Sequence, residues 1–194
     1  MLMSVLTEAF RNRGLRAVLV GGSAIEVLAP GAHLSDDTDV VVTGPTSDVP
    51  LHEQAAAVME SLGFQRAGMG WSLGDLFVHL VGYQMDDPTV SIDLGTLRFE
   101  IVQREVPLAD RIIGFKHWPG ATAYGAQALQ MLASYGESLD EAWLRERLHK
   151  ERALDALDAL RAVAARGDVI TEDLLQQIHA NLLAGRAWDA LETL

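Results

Sequence analysis

The segment 17–43 constrains the fold more than any other part of the sequence. It contains a short apolar stretch, a Gly-Gly-Ser turn at 21–23, a short helical stretch, and two acids, Asp37 and Asp39, directly before the valines 40–42. Side chains two residues apart in a strand point to the same side of a sheet. The segment therefore predicts a strand, a turn into a helix, and a second strand that opens with two carboxylates on one face.

Two carboxylates on one strand face can share a divalent cation. Mg²⁺ prefers oxygen ligands and often takes one or two carboxylates together with substrate phosphates. A third acid, Asp93, lies within the apolar stretch 89–94, where an unpaired carboxylate is costly. We therefore predict that Asp37, Asp39 and Asp93 form a catalytic metal site for Mg²⁺, with room for two ions. The simpler alternative is that the first two acids are solvated turn residues.

Apolar spacing divides the chain into two halves of different character. The first half predicts strands at 16–20, 39–42, 64–67, 73–81, 89–94 and 97–102, and helices at 2–13, 24–28 and 51–62, with Ser23 as the cap of the second helix. The second half has helical spacing at 108–115, 121–134, 139–165 and 171–183. We predict an α+β protein, with a mixed β-sheet and flanking helices over 1–105 and a helical bundle over 106–194.

Composition excludes several classes of protein. The chain carries 15 Lys+Arg against 27 Asp+Glu, a formal charge of -12, which argues against a large non-specific nucleic-acid footprint. It has no cysteine, hence no disulfide and no Cys-based zinc site. Its apolar runs are too short for a membrane span, so we expect a soluble, cytoplasmic protein. The six histidines lack metal-ligand spacing, so we expect them to be structural.

The order of these features resembles that of the nucleotidyltransferase superfamily, which has the DNA polymerase beta-like fold. In that pattern a strand ends in Gly-Gly/Ser, and an Asp-x-Asp/Glu motif follows and opens an apolar strand. The resemblance implies that Gly21, Gly22 and Ser23 let the backbone approach a nucleoside triphosphate. It also implies that Asp37 and Asp39 hold metal, while Asp93 acts on the incoming hydroxyl group.

Three other families fit the same residues less well. Haloacid-dehalogenase phosphatases and GT-A glycosyltransferases place their acids after an apolar strand, whereas here the apolar valines 40–42 follow the acids. A dinucleotide-binding fold requires Gly-x-Gly-x-x-Gly, and residues 21–26 lack the later glycines. The nucleotidyltransferase pattern is therefore the one that we adopt.

The helical half also resembles part of a known group, the minimal, toxin-related bacterial nucleotidyltransferases. Residues 107–116 read as a proline-led helix that carries a lysine, and residues 152–160 as a later Asp-x-x-Asp-Leu-type helix. The resemblance implies that Lys116 binds the triphosphate.

From these features we expect an enzyme that moves a nucleoside monophosphate from a nucleoside triphosphate to a hydroxyl group and releases pyrophosphate. The acceptor stays open between a protein side chain, a small molecule and an RNA end. The motif also departs from the family, with Thr38 at its usually apolar middle position and an extra acid at Asp36. These departures leave room for an alternative, a degenerate module that binds nucleotide or a partner protein, as in a toxin–antitoxin or defence pair. A protein partner or a homodimer is compatible with both hypotheses.

Overall fold

The computed structural model describes residues 2–136 and 138–185, and the chain divides into two compact units, one ending at Gln103 and one beginning at Arg104. The first unit contains the helices α1 (Leu2–Arg11), α2 (Gly21–Leu28) and α3 (Leu51–Ser61), and the strands β1 (Arg16–Leu19), β2 (Thr38–Thr43), β3 (Gln65–Ala67), β4 (Gly70–Leu73), β5 (Leu76–Gly82), β6 (Thr89–Asp93) and β7 (Arg98–Val102). The second contains α4 (Glu105–His117), α5 (Thr122–Tyr135), α6 (Glu141–Lys150), α7 (Leu154–Arg166) and α8 (Glu172–Leu183). None of the helices in these described ranges combines the length and apolar character that a membrane crossing demands.

The strands of the first unit form one seven-stranded mixed sheet in the order β3-β4-β5-β2-β1-β7-β6. The pairs β1–β7 and β2–β5 are parallel, and the other neighbours are antiparallel. The two central strands are apolar, and Val18, Val40 and Val42 are fully buried. Helix α1 packs against β1 through a stripe that includes the buried Leu6 and Phe10. The acids at the start of β2 therefore stand at the end of a buried strand in the middle of the sheet.

The predicted α+β architecture, a mixed sheet followed by helices, is confirmed. One predicted strand, 73–81, is instead the end of β4 and most of β5, joined by a tight turn. Gly74 in that turn has a φ of +57°, a left-handed conformation that glycine adopts without steric cost. The turn folds the two strands into a hairpin, which brings β5 beside β2.

The second unit is a bundle of helices in which α4 contacts each of the other four. Its core includes the fully buried side chains of Ile112, Phe115 and Leu157. The predicted helix 139–165 is two helices, α6 and α7. The chain breaks at Arg152, whose φ of +55° does not continue a right-handed helix. This break lets α7 turn back and contact α6.

An ion pair between these two helices gives a pH-dependent prediction. Arg161 donates to both carboxylate oxygens of Glu141, at 2.7 and 2.6 Å, and this hydrogen bonding lowers the pKa of Glu141 from its ordinary 4.5. The stabilisation is present above the unfolded-state pKa and is lost as pH falls through the lowered folded-state pKa. Because both side chains are more than a third exposed, screening limits it to about 1 kcal/mol or less.

We expect Glu141→Gln to reduce the free energy of unfolding by up to about 1 kcal/mol at pH 7. The difference from the wild type should shrink steadily as pH is lowered below 4.5, because Glu141 then becomes protonated in both states. Urea unfolding, followed by circular dichroism at a series of pH values from 7 downward, measures this difference in the free energy of unfolding. The control is Glu146→Gln in the same helix, where only an exposed pair with Lys150 is lost and a smaller effect is expected. A difference that does not vary with pH contradicts the assignment to this ion pair.

Candidate active site

The helix after β1 begins at the Gly-Gly-Ser turn itself, three residues earlier than predicted. Helix α2 starts at Gly21, its N-cap is Val20, and Ser23 lies inside the helix instead of capping it. Gly21 has a φ of +61°, and a Cβ atom at this position would overlap the carboxylate of Asp39. Only glycine therefore allows the start of α2 to approach the acidic motif so closely.

Ser23 fixes the backbone of the acidic motif. Its hydroxyl donates to the carbonyl oxygen of Asp37 at 2.7 Å and accepts from the amide of Asp39 at 3.1 Å, and the residue is 7% exposed. The Val20 amide also donates to the Asp39 carbonyl oxygen at 3.0 Å. These bonds join α2 to the first residues of β2, so both carboxylates project from a backbone that is held on two sides.

The neighbouring strand β5 adds a third polar side chain to this face. Parallel pairing of β2 with β5 places His79 opposite Asp39, and Val78 opposite Thr38. Paired residues in a ladder point to the same side of the sheet. The Nδ1 atom of His79 consequently lies 3.7 Å from Oδ1 of Asp39.

Asp37, Asp39 and His79 form a group that can hold a divalent cation. Their ligand atoms lie within 4.8 Å of one another, and the side chains of Asp39 and His79 are only 19% and 28% exposed. The hydroxyl of Ser35 donates to Oδ1 of Asp37 at 3.1 Å, which orients that carboxylate. Two carboxylates and an imidazole are all established metal ligands, so the donor set fits a bound cation.

Asp93 lies elsewhere on the sheet. It ends β6, an edge strand that β7 and β1 separate from β2, so three strand spacings place it about 14 Å across the sheet from the site. The register pairs it with Arg98, at the end of the sheet opposite to Asp39. Its carboxylate is 58% exposed, accepts from the Gly95 amide and lies 3.8 Å from Nε of Arg98. The structure therefore does not bring Asp93 to Asp37 and Asp39, and His79 stands beside them instead.

Lys116, expected at the triphosphate, lies in α4 of the helical unit. Its ammonium group donates to the carbonyl oxygen of Leu182 at 2.9 Å and to Asp155 Oδ2 at 2.5 Å. The side chain is 13% exposed. These contacts hold the ammonium inside the helical unit, and its binding to a triphosphate stays a prediction.

Comparison with solved structures identifies the architecture. An antigenic nucleotidyltransferase-like protein from Paracoccidioides brasiliensis matches with a TM-score of 0.57 and 14% identity, over 83% of this chain and 91% of that one. ANT(2")-Ia in complex with adenylyl-2"-tobramycin matches with a TM-score of 0.51 and 16% identity, over 78% and 95%. The chain has the nucleotidyltransferase fold. At these identities the likeness establishes the fold, and the activity must be argued from the site.

Sequence comparison alone does not reach this result, because no protein-family model and no curated protein matches the chain. The predicted resemblance to nucleotidyltransferases rested on the Gly-Gly-Ser turn and the two acids. That resemblance is confirmed at the level of fold.

A cavity of about 370 Å³ opens beside the acidic motif of this nucleotidyltransferase fold. Leu2, Met3, Leu19, Val27, Leu76, Phe77 and Phe99 give it apolar walls, and its charged lining residues are Glu26, Asp36, Asp37 and Asp75. None of the lining residues that the structure describes is basic. This acidic lining favours a ligand with positive charge and some apolar surface.

His79 is the residue of this site that the sequence analysis missed. The six histidines were expected to be structural because none shows metal-ligand spacing along the chain. The available signal was the position of His79 within the apolar strand prediction 73–81, the same kind of signal that drew attention to Asp93. This signal identifies His79 as a site residue only once it is known that β5, and not β6, lies next to β2.

Proposed function

We propose that this protein transfers a nucleoside monophosphate from a nucleoside triphosphate to a hydroxyl group and releases pyrophosphate. The observation that carries the proposal is the pair Asp37 and Asp39, held on one strand face by Ser23 beside the first residue of α2. Phosphoryl-type transfer needs little covalent chemistry from the protein. It needs alignment of the reacting oxygens and neutralisation of charge, which carboxylates with a cation and a helix N-terminus provide.

The start of α2 is suited to bind the phosphates. The first N–H groups of a helix have no intrahelical partner, and the helix dipole adds a partial positive charge there. Gly21 and Gly22 add no side chain of their own, and the space that a Cβ atom would fill at each holds the Asp39 carboxylate and the His33 imidazole, respectively. A cation on Asp39 would offset the charge of that carboxylate and let a phosphate approach the N–H groups. The predicted nucleotide-binding role of Gly21, Gly22 and Ser23 is therefore part of this proposal.

Asp37 and Asp39, with His79 beside them, would hold the divalent cation. When bound, such an ion neutralises the charge of the triphosphate and of the departing pyrophosphate. The sequence analysis predicts Mg²⁺ for this ion. Ser23 holds the backbone of both acids and Ser35 orients the carboxylate of Asp37, so little reorganisation is needed there when the nucleotide arrives.

The acid-lined cavity beside Asp37 is the proposed site of the acceptor. The acceptor oxygen forms a bond to the α-phosphorus, the bond from that phosphorus to the bridging oxygen breaks, and pyrophosphate leaves. The hydroxyl proton ends in the solvent. Four carboxylates around a cavity of this size favour a small cationic compound that bears a hydroxyl group over an RNA end. The solved structure of ANT(2")-Ia is a complex with adenylyl-2"-tobramycin.

A second candidate function is nucleotide or partner binding without transfer, as in one half of a toxin–antitoxin or defence pair. The position of Asp93 favours it, because the predicted third carboxylate pairs with Arg98 on a distant edge strand. In this case the protein binds a triphosphate and leaves it unchanged.

The test is incubation of the full chain with each α-³²P-labelled nucleoside triphosphate, a divalent cation, and either a hydroxylated polyamine compound or a neutral sugar of similar size. We expect labelled product and pyrophosphate with the cationic acceptor and neither with the neutral one. In parallel, isothermal titration calorimetry measures whether the protein binds each of the same triphosphates. Binding without transfer favours the second candidate, and absence of triphosphate binding contradicts both transfer and nucleotide binding.

A further inference from the structure

The third donor of the site is an imidazole where the sequence analysis expected a carboxylate. The ligand atoms of Asp37, Asp39 and His79 lie within 4.8 Å of one another. Two donors that bind one ion at about 2.1 Å each are at most about 4.2 Å apart. Three atoms within 4.8 Å of one another lie within about 2.8 Å of a common point, so side-chain movements of about 0.7 Å or less would bring two oxygens and one nitrogen onto a common ion.

The register of the backbone places the imidazole of His79 beside Asp39, independently of the rotamer that the side chain adopts. His79 pairs with Asp39 in the parallel ladder between β5 and β2, and the preceding residue, Val78, is fully buried. Alternation along the strand therefore sends His79 to the face opposite the core position of Val78. With its side chain 28% exposed, His79 lies half-enclosed beside Asp39.

Donor chemistry then determines which ion suits the site. Mg²⁺ is a hard cation that prefers oxygen ligands in octahedral geometry and keeps several waters. Imidazole is a better ligand for first-row transition ions, and a mixed nitrogen and oxygen set shifts selectivity toward them. We infer that Asp37, Asp39 and His79 bind a divalent first-row transition ion, such as Mn²⁺ or Zn²⁺, in preference to Mg²⁺. The inference rests on the proposed function, which puts a divalent cation at the same two carboxylates.

The direct test uses Mn²⁺ alone, added to the nucleotide-free full chain and followed by pulsed electron paramagnetic resonance. A coordinated imidazole nitrogen modulates the Mn²⁺ electron spin echo, so we expect ¹⁴N modulation in the wild type. His79→Asp should remove the modulation and keep a bound ion. The matched control, His52→Asp, changes an exposed histidine of α3 that contacts Tyr83, and should keep the modulation. Bound Mn²⁺ without ¹⁴N modulation in the wild type overturns the inference.

A competition experiment measures the preference itself. We expect the Mg²⁺ concentration that displaces half of the Mn²⁺ to be about 10-fold lower in His79→Asp than in the wild type, because the variant offers three carboxylates. If the Mg²⁺ concentration that displaces half of the Mn²⁺ is the same in the two proteins, the inference is overturned. The proposed function then still stands, because the site still binds a divalent cation. No binding of either ion to the wild type, with or without triphosphate, contradicts the proposed function as well.

Discussion

Asp37→Asn is expected to reduce the rate of nucleotidyl transfer roughly 10³-fold while leaving the fold intact. The substitution removes one negative charge and one strong oxygen donor from the cation site. The amide oxygen of asparagine can still accept the hydrogen bond that the Ser35 hydroxyl now donates to Oδ1 at 3.1 Å. Initial rates of pyrophosphate release, with triphosphate and cationic acceptor at saturation, measure the effect.

The matched control for this experiment is Asp48→Asn. Asp48 is an exposed acid in the loop before α3, and the same loss of charge there should leave the rate unchanged. Thermal unfolding separates function from stability, because Asp37→Asn should unfold at the wild-type temperature or above it. Removal of one of two neighbouring carboxylates relieves their repulsion. A rate within a factor of three of the wild type would show that Asp37 is not part of the reaction site.

The sequence predicts this part of the site well because its residues are close together in the chain. Gly21 and Ser23 lie in α2, Asp39 lies in β2, and Asp37 directly precedes β2, so their contact requires only one short helix and one turn. The glycine turn and the apolar residues after the acids indicate both elements directly. Local patterns of this kind also gave the strands and helices from which the α+β architecture was predicted, and that prediction is confirmed.

The third member of the site could not be predicted in this way. Its identity depends on which strand lies next to β2 and on the register between them, and neither follows from a local pattern. Asp93 drew attention because a carboxylate inside an apolar strand is costly when that strand is buried. The strand β6 is at the edge of the sheet and the side chain of Asp93 is 58% exposed, so the cost does not arise. His79 also lies within an apolar strand prediction, but only the ladder, which places it opposite Asp39, distinguishes it from a structural histidine.

Gly21→Ala is expected to reduce transfer, and binding of the divalent cation, by about 100-fold. The new Cβ atom would occupy the space of the Asp39 carboxylate, so either that carboxylate or the start of α2 must move. A displacement of about 1 Å at a reacting site is enough for a loss of this size. Because the φ of +61° is unfavourable for alanine, the substitution also lowers the free energy of unfolding by about 1–2 kcal/mol.

The control for this experiment is Gly14→Ala, which reproduces the backbone cost without the collision. Gly14 has a φ of +72°, and a Cβ atom there would meet nothing within 4 Å. Both variants should lose a similar 1–2 kcal/mol on urea unfolding, while only Gly21→Ala loses transfer and cation binding. Equal activity in the two variants would mean that close contact between α2 and Asp39 is not required. Because the variants share one kind of strain and differ only in contact with the carboxylate, the difference in rate isolates the contribution of that contact to the site.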